Sequence, residues 1–148
     1  MLFTGPGTYF IVSLYKTEHW VIDKPTPTNY PSKGAVQKMM GNGAPSQQWT
    51  FSIDPTAPER YRIKLSTADL YLVEDTANKW IGYTDAIPGA EGSWKVIDAQ
   101  VDGTSYLVCG SDGNAIDYWS DSDALGGKIG YAQYTPGTRQ QMWFIQAV

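Results

Sequence analysis

Hydrophobic residues in this chain occur in short runs that either alternate with polar residues or stay apolar for a few positions. In chain order the runs are TYFIVSL, HWVID, WTFSI, YRIKL, LYLVE, WKVID, YLVC, AIDYW, KIGYAQY and MWFIQ. Clusters of Gly, Pro, Asp, Asn and Ser separate them, which is typical of short strands joined by turns. Long amphipathic helical patterns are absent from the sequence, so it predicts an all-β protein.

The same order of short motifs recurs three times along the chain. Each copy begins with a strand written Tyr-x-Ile or Tyr-x-Val, at Tyr9, Tyr61 and Tyr106. An apolar strand ending in an acid follows, written VID, LVE or AID, and then a third strand written AVQ, WIGY or KIGY. A tryptophan strand closes each copy as WTFSI, WKVI or WFI, and the copies are offset by roughly 43 to 52 residues. This regular order indicates three copies of a four-strand unit.

Three such units that bury one shared core produce twelve strands with pseudo-threefold symmetry, which is the architecture of a β-trefoil. A chain of 148 residues is long enough to bury such a core as one domain. We therefore predict a single β-trefoil domain over residues 1–148, with repeats at approximately 1–55, 56–101 and 102–148.

Two of the three copies end in a Gln-x-Trp motif, as QQW at 47–49 and QMW at 141–143. This motif resembles the repeat of ricin-B-type lectins, although the middle copy departs from it with GSW at 92–94. From GTYFIV to MWFIQAV, the chain also resembles the small mushroom β-trefoil proteins of about this length. Because that family contains both sugar-binding lectins and serine protease inhibitors (the cospin group), the resemblance implies the fold and two alternative functions.

The composition and charge of the chain indicate which classes of partner and which cellular location to expect. The chain carries a formal net charge of −4 without a basic block, so nucleic acid is not expected, because Lys and Arg supply non-specific affinity for phosphates. Neither a polybasic amphipathic helix nor a long apolar segment predicts membrane insertion. The N-terminal MLFTGPGTYF has no basic region of a secretory signal, and the single Cys109 cannot form an intramolecular disulfide. We expect a cytoplasmic protein.

The sequence favours binding without catalysis, and no cofactor is expected. His19 is the only histidine and lies in the strand-like EHWVID, where a catalytic base is not favoured. One Cys and one His do not make a usual zinc site, and Cys109 is predicted to be a small buried hydrophobe. Acid pairs such as Glu74 and Asp75 suit loosely held calcium or, more commonly, solvated turns. No metal site is therefore predicted.

The lectin resemblance implies an acid at the end of the second strand, an aromatic residue on or after the third, and polar residues before Gln-x-Trp. An acid accepts hydrogen bonds from two vicinal hydroxyls, while an aromatic ring covers the apolar face of a sugar. The candidate carbohydrate-binding residues in the first and third copies are Asp23, Asn42, Gln47, Asp117, Tyr131, Tyr134 and Gln141.

The third copy is the more complete candidate, because the first has Lys38, Met39 or Met40 where an aromatic residue is expected. The second copy has Glu74 as its acid and lacks the glutamine. Gln-x-Trp also has a purely structural interpretation, in which Trp fills the core and Gln binds backbone near the hairpin.

One connection differs from the ordinary turns of the chain, the stretch DKPTPTNYPSKG at 23–34, which contains three prolines. In the mushroom serine protease inhibitors that the chain resembles, the loop between the second and third strands enters the protease. An asparagine near the middle of that loop takes the primary specificity position. The resemblance thus implies a protease-binding loop of Pro27, Thr28, Asn29, Tyr30 and Pro31, with Asn29 in the specificity pocket.

Proline chemistry supports this interpretation independently of the resemblance. Each ring fixes its own φ and holds the preceding residue extended, as an inhibitor loop must be when it enters a protease cleft. Ordering a loop costs on the order of 1–2 kcal/mol per residue, so prior stiffening favours binding. A serine protease inhibitor of trypsin-like enzymes is the main hypothesis, and a ricin-B-like lectin is the alternative. Stiffening for stability alone is a third interpretation.

Other basic residues are alternatives for entering a trypsin-like pocket. Lys24 precedes a proline, which is unfavourable at a scissile bond, and Lys33 lies where the loop returns to the third strand. Arg60 and Arg62 flank another strand and are candidates for a second protease site. The position of Asn29 at the middle of the loop and the resemblance to the mushroom inhibitors favour Asn29 as the residue that enters the specificity pocket.

Overall fold

A computed structural model of the chain describes residues 3–15, 19–25, 32–118 and 124–148. The described residues contain thirteen strands and three short 3₁₀ helices. The first unit comprises β1 (Gly7–Ser13), β2 (Trp20–Asp23), β3 (Lys33–Ala35), β4 (Gln37–Met40) and β5 (Trp49–Asp54). The second comprises β6 (Ala57–Leu65), β7 (Tyr71–Asp75), β8 (Trp80–Thr84) and β9 (Trp94–Asp98). The third comprises β10 (Ser105–Cys109), β11 (Asn114–Asp117), β12 (Gly130–Gln133) and β13 (Trp143–Ala147).

The outer strands of the three units close into a six-stranded antiparallel barrel. Its ring runs β1, β5, β6, β9, β10, β13 and back to β1. The inner strands of each unit pair as hairpins, β2 with β4, β7 with β8 and β11 with β12. A barrel capped by three such hairpins is a β-trefoil, so the predicted fold is confirmed. Closure pairs the strand edges that an open sheet would expose.

The short 3₁₀ helices Pro45–Gln47, Ala90–Gly92 and Arg139–Gln141 each precede the tryptophan strand of their unit. No helix in the described residues is long and apolar enough to cross a membrane.

Three tryptophans form the centre of the barrel core. Trp49, Trp94 and Trp143 are each at most 1% exposed. Their indole N–H groups donate to the carbonyl oxygens of Ile22, Leu72 and Ile116, at 3.0, 3.0 and 3.1 Å. Each bond joins the last strand of a unit to the second strand of the same unit, so every indole satisfies a buried backbone acceptor as well as filling volume.

The tryptophan bonds also define which residues of the three units are equivalent. The residue after the carbonyl acceptor is Asp23 in the first unit and Asp117 in the third, but it is Val73 in the second. The prediction that Glu74 takes the place of the aspartate was therefore wrong by one residue. The error arose because LVE aligns with VID and AID as a motif, whereas the indole contact sets the register in space.

The third strand of the first unit is divided, so the count is thirteen rather than the predicted twelve. Its first part, β3, pairs with β8 of the second unit, and its second part, β4, pairs with β2. Val36 lies between them, is fully buried, and donates its N–H to Ile81 O at 3.1 Å. The backbones of β3 and β8 approach so closely that a Cβ on Gly82 would lie 2.5 Å from Gly34 O. Glycine at position 82 allows this approach.

Candidate functional site

The glutamine of the first Gln-x-Trp motif binds backbone. Gln47 is 1% exposed; its Oε1 accepts from the N–H of Asn42 at 3.0 Å, and its Nε2 donates to Met40 O at 3.0 Å. The amide therefore holds the end of β4 against the 3₁₀ helix. This arrangement matches the structural interpretation of the motif and leaves the Gln47 side chain little accessible to a ligand.

Gln141 repeats this arrangement in the third unit and adds a carboxylate contact. Its Oε1 accepts from the N–H of Thr135 at 3.0 Å, and its Nε2 donates to Gln133 O at 2.9 Å. The same Nε2 lies 3.3 Å from Asp117 Oδ2. The structure thus brings Asp117 and Gln141 together, as predicted, with Asp117 only 8% exposed.

The second unit has no room for an equivalent glutamine. A Cβ added at Gly92 would lie 2.4 Å from both Cβ and Cγ of Pro88, and 3.1 Å from a methyl of Val73. Because Pro88 fills the volume and Val73 replaces the acid, this unit lacks both polar groups of the other two.

The first unit holds its acid in a closely bonded network that the sequence analysis missed. Asp23 is 5% exposed, and its Oδ2 accepts from Gln37 Nε2 at 2.6 Å while its Oδ1 accepts from Ser46 Oγ at 2.6 Å. Gln37 lies directly opposite Asp23 in the β2–β4 hairpin, and Ser46 lies in the 3₁₀ helix. The only sequence signal was that Ser46 immediately precedes QQW.

Asn42 lies in the exposed turn after β4 and is not part of this network in the described contacts. Its Oδ1 accepts from the N–H of Ala44 at 2.9 Å, which shapes the turn. Its connection to the motif is through its backbone N–H, which Gln47 accepts. Asn42 therefore positions the loop rather than standing beside Asp23.

Strand register separates the predicted aromatic residue of the third unit from its acid. Tyr131 pairs with Ile116, whereas Asp117 pairs with Gly130. Because paired residues share a face and neighbours along a strand alternate, Tyr131 and Asp117 lie on opposite faces of the hairpin. Tyr131 is half-buried against the central core. Burial raises the pKa of its phenol, and the negative charge of Glu74 acts in the same direction.

Tyr134, the other predicted aromatic residue of the third unit, packs against Tyr106. Its ring contacts that of Tyr106, with centroids 5.0 Å apart, in the second hydrophobic cluster of the barrel. The Tyr106 hydroxyl accepts from the N–H of Gly137 at 2.8 Å, which fixes the following turn. Burial raises the pKa of Tyr134. Both predicted aromatic residues thus pack against other elements rather than beside Asp117.

In the first unit the residue beside the acid on the hairpin face is Met39. It pairs with Val21, two positions along from the Asp23–Gln37 pair, and therefore shares their face. Lys38 points to the opposite face, is 1% exposed, and places its ammonium 4.7 Å from the Tyr118 ring centroid. Of the alternatives considered for the stacking position, Met39 is the one on the acid's face.

A cleft of about 380 Å³ lies beside the Asp23 network, between the 3₁₀ helix of the first unit and the β6–β7 turn. Its polar lining is Lys24, Ser46 and Thr67. Its apolar lining is Ala44, Pro45, Leu65, Ala68 and Leu70. Ser46 is the direct link, because the same side chain lines the cleft and donates to Asp23.

A second cleft, of about 400 Å³, lies over the outer side of β1. Phe10, Val12, His19, Val21, Gly41, Gly43, Gln47 and Gln146 line it. Neither cleft has an acid among its lining residues. The first cleft is nevertheless linked to a carboxylate through the Ser46–Asp23 hydrogen bond, whereas the second borders Gln47, whose amide binds backbone.

The predicted protease-binding residues Pro27, Thr28, Asn29, Tyr30 and Pro31 lie outside the described residues. The two ends of the loop are described. The N–H of Lys24 donates to Ser46 O at 2.9 Å, and Ser32 O accepts from the N–H of Asp85 at 2.8 Å. Lys33–Ala35 then pairs with β8.

The arginines considered for a second protease site are engaged with the protein itself. Arg62 lies 3.7 Å from Asp54 Oδ1, and Arg60 donates to Val108 O at 3.3 Å. Asp54 also accepts from Ser93 Oγ at 2.6 Å. Burial alone would raise the pKa of Asp54, but the hydrogen bonds from Ser93 and Thr56 and the charge of Arg62 hold it below its usual value. These arginines therefore link neighbouring units.

A comparison with protein-family models and a comparison with curated proteins each find no match for the chain. Comparisons by structure find many β-trefoil proteins. The designed threefold-symmetric protein ThreeFoil superimposes with a TM-score of 0.79 at 20% identity, covering 96% of this chain and 99% of ThreeFoil. At these identities the similarity concerns the fold.

Ricin-B-like lectins are among the structural neighbours. The Macrolepiota procera ricin B-like lectin, solved in complex with lactose, has a TM-score of 0.77 at 17% identity and covers 100% of both chains. The Rhizoctonia solani agglutinin has a TM-score of 0.75 at 12% identity, covering 100% of this chain and 99% of the agglutinin.

Proposed function

We propose that this protein is a non-catalytic carbohydrate-binding protein with its sugar site in the first unit, at the cleft beside Asp23. The observation that carries the proposal is the position of the Asp23 carboxylate. Gln37 donates a hydrogen bond of 2.6 Å to one of its oxygens, and Ser46 donates a hydrogen bond of 2.6 Å to the other. The structural similarity to a lectin solved with lactose supports this class of ligand. It supports the lectin hypothesis more than the protease-inhibitor hypothesis.

The cleft has the mixture of groups that a sugar requires. Ser46 commits its hydroxyl proton to Asp23, so its oxygen lone pairs are directed to accept from a sugar hydroxyl. Asp23 is 5% exposed and is connected to the cleft through Ser46 rather than lining its wall. Its carboxylate has about four acceptor positions, of which Gln37 and Ser46 use two, and a charged acceptor forms the stronger hydrogen bonds. Leu65, Leu70 and Pro45 supply apolar surface for the C–H face of the ring. Apolar walls with a few convergent polar groups are typical of ligand sites.

Replacing Asp23 by asparagine is expected to weaken sugar binding by about 10-fold or more, because hydrogen bonds to a charged group contribute about 1.5–3 kcal/mol. Ser46→Ala is expected to act in the same direction, since it removes the residue shared by network and cleft. The measurement is a glycan array with labelled full-length protein, followed by calorimetric titration of the best glycan. Lactose is a defined first probe.

Asp98→Asn is the matched control, because Asp98 is an exposed aspartate at the end of β9 that caps only its own turn. It should leave binding unchanged. A blank array for the wild-type protein would overturn the proposal. So would full binding by a correctly folded Asp23→Asn variant. If only Asp117→Asn removed binding, the first-unit site would be wrong and the third-unit alternative correct.

Protease inhibition is the second candidate function, and the fixed ends of the proline-rich loop favour it. Hydrogen bonds from neighbouring segments hold the chain at Lys24 and at Ser32, on either side of residues 26–31. A loop anchored at both ends and stiffened by proline loses less entropy when a protease binds it. The proposed inhibitory residue is Asn29, acting by substrate-like occupancy of a serine protease.

Titration of trypsin and chymotrypsin with the protein, read as residual hydrolysis of a chromogenic substrate, tests this function. Stoichiometric inhibition is expected for the wild type and is lost in Asn29→Pro, because proline alters the backbone at the specificity position. Asp23→Asn serves as the crossed control, since it should lose sugar binding and retain inhibition. No inhibition of either enzyme by the wild type would contradict the proposed trypsin-like target.

A further inference from the structure

A buried carboxylate without a hydrogen-bond partner lies between the second and third units. Glu74, on β7, is 2% exposed, and as a carboxylate neither of its oxygens has a hydrogen-bond partner. Burial raises the pKa of Glu74 to about 8, and Asp112 acts in the same direction, both as a hydrogen-bond acceptor for the protonated carboxyl and through its negative charge. Buried polar groups are normally satisfied, so this exception requires an explanation.

Two further metal-ligating side chains converge on this carboxyl. Cys109, fully buried at the end of β10, and Asp112, exposed in the following turn, place their ligand atoms with those of Glu74 within 4.8 Å of one another. Among the residues that the structure describes, these three side chains are the group of His, Cys, Asp or Glu residues whose ligand atoms lie close enough to share a metal ion. Burial raises the pKa of the Cys109 thiol to about 11.

We propose that Glu74, Cys109 and Asp112 form a binding site for a zinc-type divalent cation. One thiolate and two carboxylates are ligands that Zn²⁺ accepts, and a cation would satisfy the two orphaned Glu74 oxygens at once. Three protein ligands leave the fourth tetrahedral position to water, which can enter from the exposed side of Asp112. The prediction from composition, that one Cys and one His exclude a usual zinc site, did not consider a site without histidine.

The required movement is small and falls on a surface turn. Tetrahedral zinc ligands lie about 3.3–3.8 Å apart at ordinary bond lengths. Because the ligand atoms already lie within 4.8 Å of one another, each separation must shorten by at most about 1.5 Å. Asp112 is oriented by Asn114, whose N–H donates to Oδ1 at 2.9 Å and whose Nδ2 donates to Oδ2 at 3.0 Å. Hydrogen bonds of this kind hold metal-binding carboxylates in position. Ser111 Oγ lies 3.2 Å from the sulfur and orients the thiol.

The cluster is not a repeated feature of the fold. Cys109 pairs with Trp94, and the residues paired with the corresponding tryptophans are Ser13 and Leu65. The tryptophan bonds likewise place Lys24 and Tyr118 at the positions equivalent to Glu74. Because the barrel closes in the other units without these groups, their convergence here is specific to this junction and separate from the Asp23 site.

Metal titration of the full-length reduced protein, after treatment with a chelator, tests the site directly. Zn²⁺ should bind with one-to-one stoichiometry in competition with a chromogenic chelator, and Co²⁺ should produce a thiolate-to-cobalt charge-transfer band. Asp112→Asn should weaken Zn²⁺ binding by at least ~10-fold, a loss typical of disturbed zinc sites. Cys109→Ser should abolish the cobalt band. Zn²⁺ should also raise the Tm of the wild type, because it binds the folded state.

Asp75→Asn is the matched control. Asp75 follows Glu74 directly and makes the same kind of turn contact as Asp112, accepting from Asn78 N–H at 3.1 Å and from Asn78 Nδ2 at 2.8 Å. It lies outside the cluster, so its replacement should leave Zn²⁺ affinity unchanged. The proposal is overturned if the wild type shows no saturable Zn²⁺ binding at millimolar zinc. It is equally overturned if binding survives both Asp112→Asn and Cys109→Ser, or if wild-type cobalt protein lacks the charge-transfer band.

Discussion

Trp143→Ala is expected to lower the free energy of unfolding by about 3–5 kcal/mol, a large share of the 5–15 kcal/mol typical of a domain. Trp143 is 1% exposed in the centre of the barrel. Truncation would leave a cavity bordered by strands of the first and third units, since β13 pairs with both β1 and β10. It would also leave Ile116 O, which the indole satisfies at 3.1 Å, without its donor.

Urea denaturation followed by circular dichroism measures this effect, with Trp143→Phe separating its two causes. Phenylalanine keeps most of the volume and loses the hydrogen bond, so a smaller loss of about 1–3 kcal/mol is expected. Trp80→Phe is the matched control, because Trp80 is half-buried and its indole nitrogen has no partner in the described contacts. A loss below about 1 kcal/mol for Trp143→Ala would contradict the central role of this side chain.

Gly82→Ala is expected to destabilise the protein by about 1–3 kcal/mol or more, although it adds a single methyl group. Gly82 pairs with Ala35 across the β3–β8 contact, and the new Cβ would lie 2.5 Å from Gly34 O. That atom belongs to backbone, so a side-chain rotation cannot relieve the clash. Because β3 is the return strand of the proline-rich loop, its displacement should also disturb the anchored end of that loop.

Hydrogen exchange resolved along the chain, together with urea denaturation, tests this second prediction. Protection should fall for the amides of Lys33–Ala35 while the amides of Trp143–Ala147 in the barrel remain protected. Thr84→Ala is the control in the same strand pair. Thr84 lies opposite Lys33 and is half-buried, and its replacement by alanine removes side-chain atoms, so it introduces no clash between β3 and β8. Unchanged protection in β3 for Gly82→Ala would show that the close backbone approach does not determine this pairing.

Much of the fold was predictable because it depends on local repetition. Tyr9, Tyr61 and Tyr106 mark the first strand of each unit, and Trp49, Trp94 and Trp143 mark the last. A fully buried aromatic residue must recur wherever the same packing recurs, so the repeated aromatic positions in the sequence predict the repeated units of the fold. The structural interpretation of Gln-x-Trp, in which the glutamine binds backbone, agrees with the contacts of Gln47.

The candidate site was less predictable because it depends on pairs of residues that are distant along the chain. Asp23 was recognisable as an acid at the end of a strand, but its partners Gln37 and Ser46 follow from hairpin register and from the placement of the 3₁₀ helix. A displacement by one residue reverses the face of a strand. Tyr131 was therefore expected beside Asp117, and it lies on the opposite side of the hairpin.

By itself the sequence determined the all-β class, the three units and the tryptophan core, because periodic hydrophobic residues can be buried together in few ways. Only the tertiary structure decided that Val73 rather than Glu74 matches the two aspartates, since the indole contacts define that register. It also decided that Glu74 meets Cys109 and Asp112. Such convergence arises from barrel closure, which joins residues of different units and leaves no pattern along the chain.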